Sequence, residues 1–253
     1  MERLELLKKR RSVRDFTNQP IPKPLRDELS AIVTDINTHI AGLKFRLFFD
    51  NSDPFKGFFK SYGSFVNPHN YLAAVVDEGF DHIWEKAGYF AEKFVIECVA
   101  KGLGTCFVGG TYDANAIDVM LRAGEKILFV VIFGFPSGKL RWKEKVMVDF
   151  IHRKKYEPKD FFVPSDKFDE ECVRFKELYT GAEAVACSPS ALNKRPVRIF
   201  VREDEEGMTL CGKVPESNRK NLIDLGIAKF NYNYATGTQC EWGNGSPLSG
   251  GEF

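Results

Sequence analysis

The chain has 253 residues, 43% hydrophobic and 28% charged, a balance that supports a packed core and excludes wholesale disorder. That length suits one large domain or two smaller ones. A net charge of +1 provides no global field toward DNA, RNA or an anionic membrane, so any basic feature must be local.

The 23 phenylalanines point to large packed cores or an aromatic-lined cavity. Six cysteines (Cys98, Cys106, Cys172, Cys187, Cys211 and Cys240) form no C-x-x-C pair and show no metal-ligand spacing. The four histidines sit in no H-E-x-x-H setting and no G-x-S-x-G elbow occurs, so neither metal-assisted nor serine hydrolysis has support. Met1 to Arg14 is charged and helix-like, without the apolar stretch of a signal peptide. The longest apolar run, Ile127–Phe133, is far short of the roughly 18 residues of a membrane span. A soluble cytoplasmic protein with reduced thiols, no metal, no membrane and no nucleic acid is expected.

In chain order, residues 1–9 read as a short helix with Leu4 and Leu7 on one face, followed by the basic KKRRSVR. Pro20, Pro22 and Pro24 mark an extended turn, and Pro24 suits the first turn of a helix running to about Ile36. KFRLFF (Lys44–Phe49) has strand alternation. After a Gly-, Ser-, Pro- and Phe-rich loop, YLAAVV (Tyr71–Val76) and ILFVVIF (Ile127–Phe133) read as central strands covered on both faces. Between them Trp84, Ala87, Ala91, Phe94 and Cys98 recur at helical spacing, up to a stop at Gly102-Leu103-Gly104. The tract after Phe150 reads as a crossover or linker. Beyond it a helix over Glu171–Ala186 leads to RPVRIFV (Arg195–Val201), which parallels KFRLFF. NLIDLGIAKFNYNYATGTQCEW then resembles a shortened copy of the helix that begins at Trp84. This faint repetition suggests two related lobes.

Four stretches offer chemistry. If Arg10–Arg14 is extended, Arg10, Ser12 and Arg14 project to one side, a good phosphate clamp. Composition alone favours a solvated basic run at a helix end, and a nucleic-acid patch is a weaker reading still. GLGTCFVGG (Gly102–Gly110) lacks the spacing of a dinucleotide fingerprint. Its first two glycines suit helix termination, whereas Gly109-Gly110 could let a backbone approach a flat ring. HRKK (His152–Lys155) could bind phosphate or solvate a linker, and CSPSALNKRP (Cys187–Pro196) is by default a plain loop. GFPSGKL (Gly134–Leu140) is one residue short of a phosphate loop and is rejected.

Taken together, these stretches resemble the FMN-dependent nitroreductase family. RRSVRDF (Arg10–Phe16) is similar to its N-terminal signature, and the series helix, GLGTCFVGG, apolar strand, GFP and HRKK follows in order. SPSALNKRPVRIFV (Ser188–Val201) resembles the family's PSxxNxQPWxFxV loop and strand. Two features depart from that pattern. The PSxxN loop is missing from its usual place, where THIAGLKFRLFF (Thr38–Phe49) stands, and the family's Gln-Pro is Arg195-Pro196.

The resemblance implies an α+β sandwich of two lobes, residues 1–165 and 166–253, fused so that one chain mimics the family dimer and keeps one flavin site. By matching position, Arg10, Ser12 and Arg14, with Arg11 close by, would hold the FMN phosphate and ribityl chain. Arg153 and Lys154 would add phosphate contacts. Val108, Gly109 and Gly110 would lie along the isoalloxazine edge, and Pro189, Ser190 and Asn193 would close the site. NADH or NADPH would supply hydride, and a planar nitroaromatic or quinone would accept it in a ping-pong cycle that needs no catalytic side chain. The alternative is a flavin-binding or flavin-storing protein of the same fold without turnover. A monomer would suffice, and KSYGSFVNP (Lys60–Pro68), which matches no motif of the family, would line the substrate side.

Overall fold

The computed structural model describes residues 3–56, 65–138, 156–205 and 207–250. They form two compact units, each assembled from more than one stretch of chain. Residues 10–83 and 93–150 make one, here the sheet unit; residues 1–9, 84–92 and 151–253 make the other, the hairpin unit. Each mixes helix and sheet, an α+β chain.

The sheet unit contains helix α2 (Lys23–His39) and strands β1 (Leu43–Phe48), β2 (Asn70–Asp77), β3 (Gly104–Val108) and β4 (Glu125–Gly134). The strands are antiparallel in the order β1-β2-β4-β3, with Phe45 opposite Ala74, Tyr71 opposite Ile132 and Cys106 opposite Ile132. Because strand side chains alternate, Tyr71, Ala73, Val130 and Ile132 share one face and pack with Val13, Phe16 and Val108. Leu72, Val131 and Phe133 turn to the other face and are equally buried. There Phe94, from the helix α3 (Ile83–Ala100), meets Phe133 edge-on at 5.4 Å.

Cover on both faces is why β2 and β4 are apolar at nearly every position, as the sequence suggests. Helix α2 extends the expected 24–36 at both ends and buries Leu29, Val33 and Ile36 on one stripe. Its Asn37 both accepts from the Phe45 N–H (2.7 Å) and donates to the Phe45 carbonyl (2.9 Å), occupying the open edge of β1.

The hairpin unit holds α1 (Arg3–Lys9), α4 (Phe168–Arg174), α5 (Leu178–Ala186), strands β5 (Arg198–Asp204) and β6 (Gly207–Lys213), α6 (Arg219–Thr236), and the 84–92 part of α3. The two strands pair antiparallel, Ile199 opposite Gly212 and Val201 opposite Leu210. Phe161, Leu178, Ile199, Leu210, Leu225 and Tyr232 anchor one core.

The single helix expected over 171–186 is two helices. Phe175 leaves the helix with φ −113° and ψ 95°, and its ring packs on the core. Breaking there lets Phe168 and Leu178, on either side of the corner, both be buried.

Glycines permit the tight helix contacts of this unit. A Cβ built at Gly226 on α6 would overlap the Glu85 carbonyl oxygen, and one at Gly88 would overlap that of Ile223. Beside this crossing Lys229 is fully buried. Its ammonium donates to Glu85 Oε1 (2.5 Å) and, at 2.8 Å each, to the Glu241 and Gly243 carbonyls and Ser246 Oγ.

Candidate functional site

In the sheet unit, α1 has ended by Arg10 and the next residues run extended against β3. Val13 N–H donates to the Thr105 carbonyl at 2.8 Å, in a parallel bridge between Ser12 and Thr105. This approach depends on Gly104, where a Cβ would lie 2.7 Å from Val13 Cγ2. The chain then changes partner. Val66 N–H donates to the Arg14 carbonyl (2.8 Å), Phe16 N–H to the Val66 carbonyl (3.1 Å) and Thr17 N–H to the Phe135 carbonyl (2.8 Å).

Val13 and Phe16 enter the core, while Arg11 and Ser12 stay exposed and Arg10 and Arg14 are half-buried. The expected alternation therefore holds from Ser12 to Arg14 and stops at Phe16, where the partner strand has changed. Among the described residues, the side chains of Arg11, Ser12 and Arg14 make no hydrogen bond or ion pair. The backbone of the segment is committed, and among the described residues the side chains of Arg11, Ser12 and Arg14 are not.

β3 ends at Val108, which is buried, and Gly109 and Gly110 follow, both exposed. Each glycine of this stretch has a different reason. Gly102 ends α3 at φ +78°, a conformation that favours glycine, and Gly104 admits Val13. At Gly109 and Gly110 neither applies: φ is not left-handed, and an added Cβ would meet nothing within 4 Å. Packing among the described residues thus makes no demand for glycine here. Close approach of something outside the chain would make that demand. Gly109 lies four residues beyond Thr105, about 13 Å along a strand. Cationic and hydroxyl donors at one end and bare backbone at the other, with no carboxylate among them, suit a long ligand with an anionic end and a flat end.

The second segment belongs to the hairpin unit. Ser188 is buried and its Oγ accepts from Asn231 Nδ2 at 2.9 Å. Ser190 Oγ accepts from the Arg195 N–H at 2.8 Å. The Ala191 N–H is shared by both carboxylate oxygens of Asp224, 3.1 Å each. Leu192, Asn193 and Arg195 lie at φ +54°, +53° and +48°. The Arg195 guanidinium donates to the Ala186 carbonyl (2.8 Å) and to Asn193 Oδ1 (3.3 Å), and stacks 4.6 Å over Tyr156. Pro189 is half-buried. Burial pushes the Asp224 carboxyl up to about 7, opposed by the Ala191 N–H.

Arg153 and Lys154 fall outside the described residues, as do Lys60–Ser64 of the loop ending at Pro68. No group of metal-ligating residues occurs among the described residues, and no helix there is long and apolar enough to cross a membrane. The sequence reading missed Asp224 and Asn231. The signal was present, since polar residues seven apart fall on one helix face; here that face is buried.

No curated protein matches the sequence. Among solved structures, one named as a putative nitroreductase from Thermotoga maritima MSB8 is similar over 93% of this chain and 83% of its own, with a TM-score of 0.60 and 20% identity, a likeness of fold. A nitroreductase family protein from Clostridium novyi NT is similar over 55% of this chain and 87% of its own, with a TM-score of 0.43 and 20% identity. For an FMN-dependent nitroreductase from Clostridium difficile R20291 the values are 60%, 98%, 0.42 and 17%. The sequence itself matches the family described as "Putative TM nitroreductase" over residues 2–236, nearly its whole length, and the chain belongs to that nitroreductase family.

Proposed function

We propose that the chain binds FMN and acts as an oxidoreductase, using NADH or NADPH to reduce planar nitroaromatic or quinone-like acceptors. In a nitroreductase-family chain, the observation that supports this most is the extended segment Arg10–Arg14, whose Arg11, Ser12 and Arg14 side chains have no partner among the described residues. Charge-assisted bonds from the Arg10 and Arg14 guanidiniums would hold the phosphate, with Arg11 close by and the Ser12 hydroxyl adding a donor. Backbone N–H groups at Val108–Gly110 would face the ring edge, where they favour the more negative, reduced state.

Pro189, Ser190 and Asn193 are proposed to share in holding the flavin, and Arg153 and Lys154 to add phosphate contacts. Bound flavin would supply the hydride chemistry, taken from the nicotinamide and passed to the acceptor in a ping-pong cycle. The chain's own task is then binding, orientation and exclusion of water, which asks for no nucleophile or general acid.

RRSVR and SPSALN each occur once in the sequence, so one FMN per chain is expected. The test is the visible absorption spectrum of the purified protein after adding FMN and removing the excess, followed by NADH and NADPH oxidation with a quinone or nitroaromatic. One retained flavin with acceptor-dependent oxidation supports the proposal. Retained flavin without turnover would leave a flavin-binding or flavin-storing protein. An empty spectrum would return RRSVR to a solvated basic run.

A further inference from the structure

The loop Ser188–Arg195 is held in a backbone conformation that its sequence does not favour. Leu192, Asn193 and Arg195 all lie in the left-handed region, and none is glycine. Such residues persist where their surroundings over-determine them. Here the turn is closed by Asn193 N–H to the Ser190 carbonyl (3.0 Å) and Lys194 N–H to the Ala191 carbonyl (3.2 Å). It is fixed from outside by two residues of α6: Asn231, through Ser188, and Asp224, through Ala191.

We propose that Asp224 is a positioning residue, whose carboxylate holds the Ala191 N–H from α6 and thereby sets the left-handed turn that presents Ser190 and Asn193. This rests on the reading that those two residues serve flavin binding. A structural spacer would not need a charge. Asp224 is only 5% exposed, and a buried carboxylate costs more than a buried amide unless its charge is used. The chain around it offers almost nothing else to use it. The cavity it shares with Ser188, Ser190 and Arg195 is about 10 Å³, room for one water, and the rest of the lining is apolar or proline.

Arg195 is the other ionisable group in that lining, and its guanidinium engages Ala186 and Asn193. Burial raises the Asp224 carboxyl and the Ala191 N–H lowers it; no charged side chain contributes to the shift. With its midpoint pushed up to about 7, both forms are populated near neutrality. Protonation turns one acceptor oxygen into a hydroxyl, so the turn is set firmly above that pH and loosened below it.

The test uses the full chain without flavin first. The Ala191 amide proton, followed by ¹H–¹⁵N NMR from acid to alkaline pH, is expected to titrate with a midpoint near neutrality in the wild type and to stay flat in Asp224→Asn. FMN affinity is then measured on both sides of neutrality. The wild type should bind several-fold more tightly on the alkaline side beyond any pH dependence that Asp224→Asn retains, since the variant reports the ionisation of the ligand's own phosphate. Asp224→Asn keeps one neutral acceptor for Ala191, as the protonated carboxyl does, and, that ligand ionisation aside, should match the wild type's acid-side affinity on both sides of neutrality. Asp224→Leu should lose about tenfold, the worth of one buried hydrogen bond. A wild-type Ala191 amide that does not titrate, or identical pH profiles for wild type and Asp224→Asn, would overturn the assignment. A titrating amide in a chain that binds no FMN at any pH would instead overturn the flavin reading and leave the link from Asp224 to the turn standing.

Discussion

The two segments proposed to bind ligand are held in opposite ways. Arg10–Arg14 is fixed by its backbone, through Val13 to Thr105 and Arg14 to Val66, which leaves the side chains of Arg11, Ser12 and Arg14 uncommitted. Ser188–Arg195 is fixed by side chains, those of Asn231, Asp224, Ser190 and Arg195, while its backbone bends through left-handed turns. The units around them differ in the same sense. Both run helix, strand, strand, helix: α2-β1-β2-α3 in one stretch and α5-β5-β6-α6 in the other.

β2, however, is flanked by β1 and β4, and the sheet supplies a ladder against which a further strand can lie. The β5–β6 hairpin has no third strand among the described residues, and a lone hairpin is marginal in water. Its unit relies on helices in close contact and on polar groups buried along α6: Asp224, Lys229, Asn231 and Asn233. Where a sheet provides order, the polar side chains of Arg11, Ser12 and Arg14 stay without partners among the described residues; where it does not, polar side chains are spent on order.

If that contrast is right, the hairpin unit should fail at a single polar residue as the sheet unit should not. Lys229→Met strands Glu85, itself 1% exposed, and removes the donor to three further oxygens. A loss of about 3–5 kcal/mol is expected in urea unfolding, the cost of leaving one member of a buried ion pair alone. A loss under about 1 kcal/mol would mean the network contributes specificity and little stability. Somewhat smaller is the expected cost of Gly226→Ala, about 3 kcal/mol, because its Cβ would overlap a backbone oxygen that cannot rotate away. The three atoms nearest a Cβ at Gly104 in the sheet unit all belong to the Val13 side chain, so combining Gly104→Ala with Val13→Ala should recover part of the loss. No second substitution of that kind is available to Gly226.

The same contrast governs what the sequence could reveal. β2, β4 and the helix α3 are legible because local periodicity reports burial on a face or on both, whereas α6, which buries Asp224, Lys229, Asn231 and Asn233, is legible only by its likeness to the helix that begins at Trp84. The RRSVR segment is legible because its charge and its alternation are local features of five consecutive residues. By contrast, β3 is masked by Gly102 and Gly104, which read as a helix stop although only Gly102 is one; Gly104 answers to Val13, far away in sequence. GMTLCGK of β6, with glycine near both ends, shows little strand pattern. The break at Phe175 reflects a core contact that no local pattern encodes. Asp224 and Asn231 act on residues 33 and 43 positions away, so their importance is visible only once the chain is folded. Segments held by backbone show their side-chain chemistry in the sequence; segments held by distant side chains hide it.

A third prediction addresses the uncommitted side chains directly. Arg14→Ala removes a guanidinium that supports nothing within the described chain, so unfolding should change little. FMN affinity should weaken by about 1.5–3 kcal/mol, the worth of a charge-assisted bond. A variant that loses stability as well as flavin would place Arg14 among the structural residues and would blur the distinction between the two segments.

The smallest effect is expected where a polar group serves neither purpose. Tyr71 on β2 is wholly buried, stacked 4.6 Å on Phe48 and edge-on to Phe55 at 5.6 Å, and its hydroxyl has no hydrogen-bond partner among the described residues. Burial pushes the phenol up to about 12, so it is neutral across any working pH. Tyr71→Phe keeps the ring contacts and removes only an unpaired donor, and should leave stability unchanged or raise it by up to about 1 kcal/mol. Tyr232 on α6, also wholly buried with an unpaired hydroxyl, makes the matched test in the hairpin unit. Equal and slight effects at both would show that an orphaned hydroxyl costs the same in either setting. A clear loss at Tyr232 alone would mean that the polar network along α6 extends through an ordered water to that hydroxyl, and that the hairpin unit leaves even fewer of its polar groups idle.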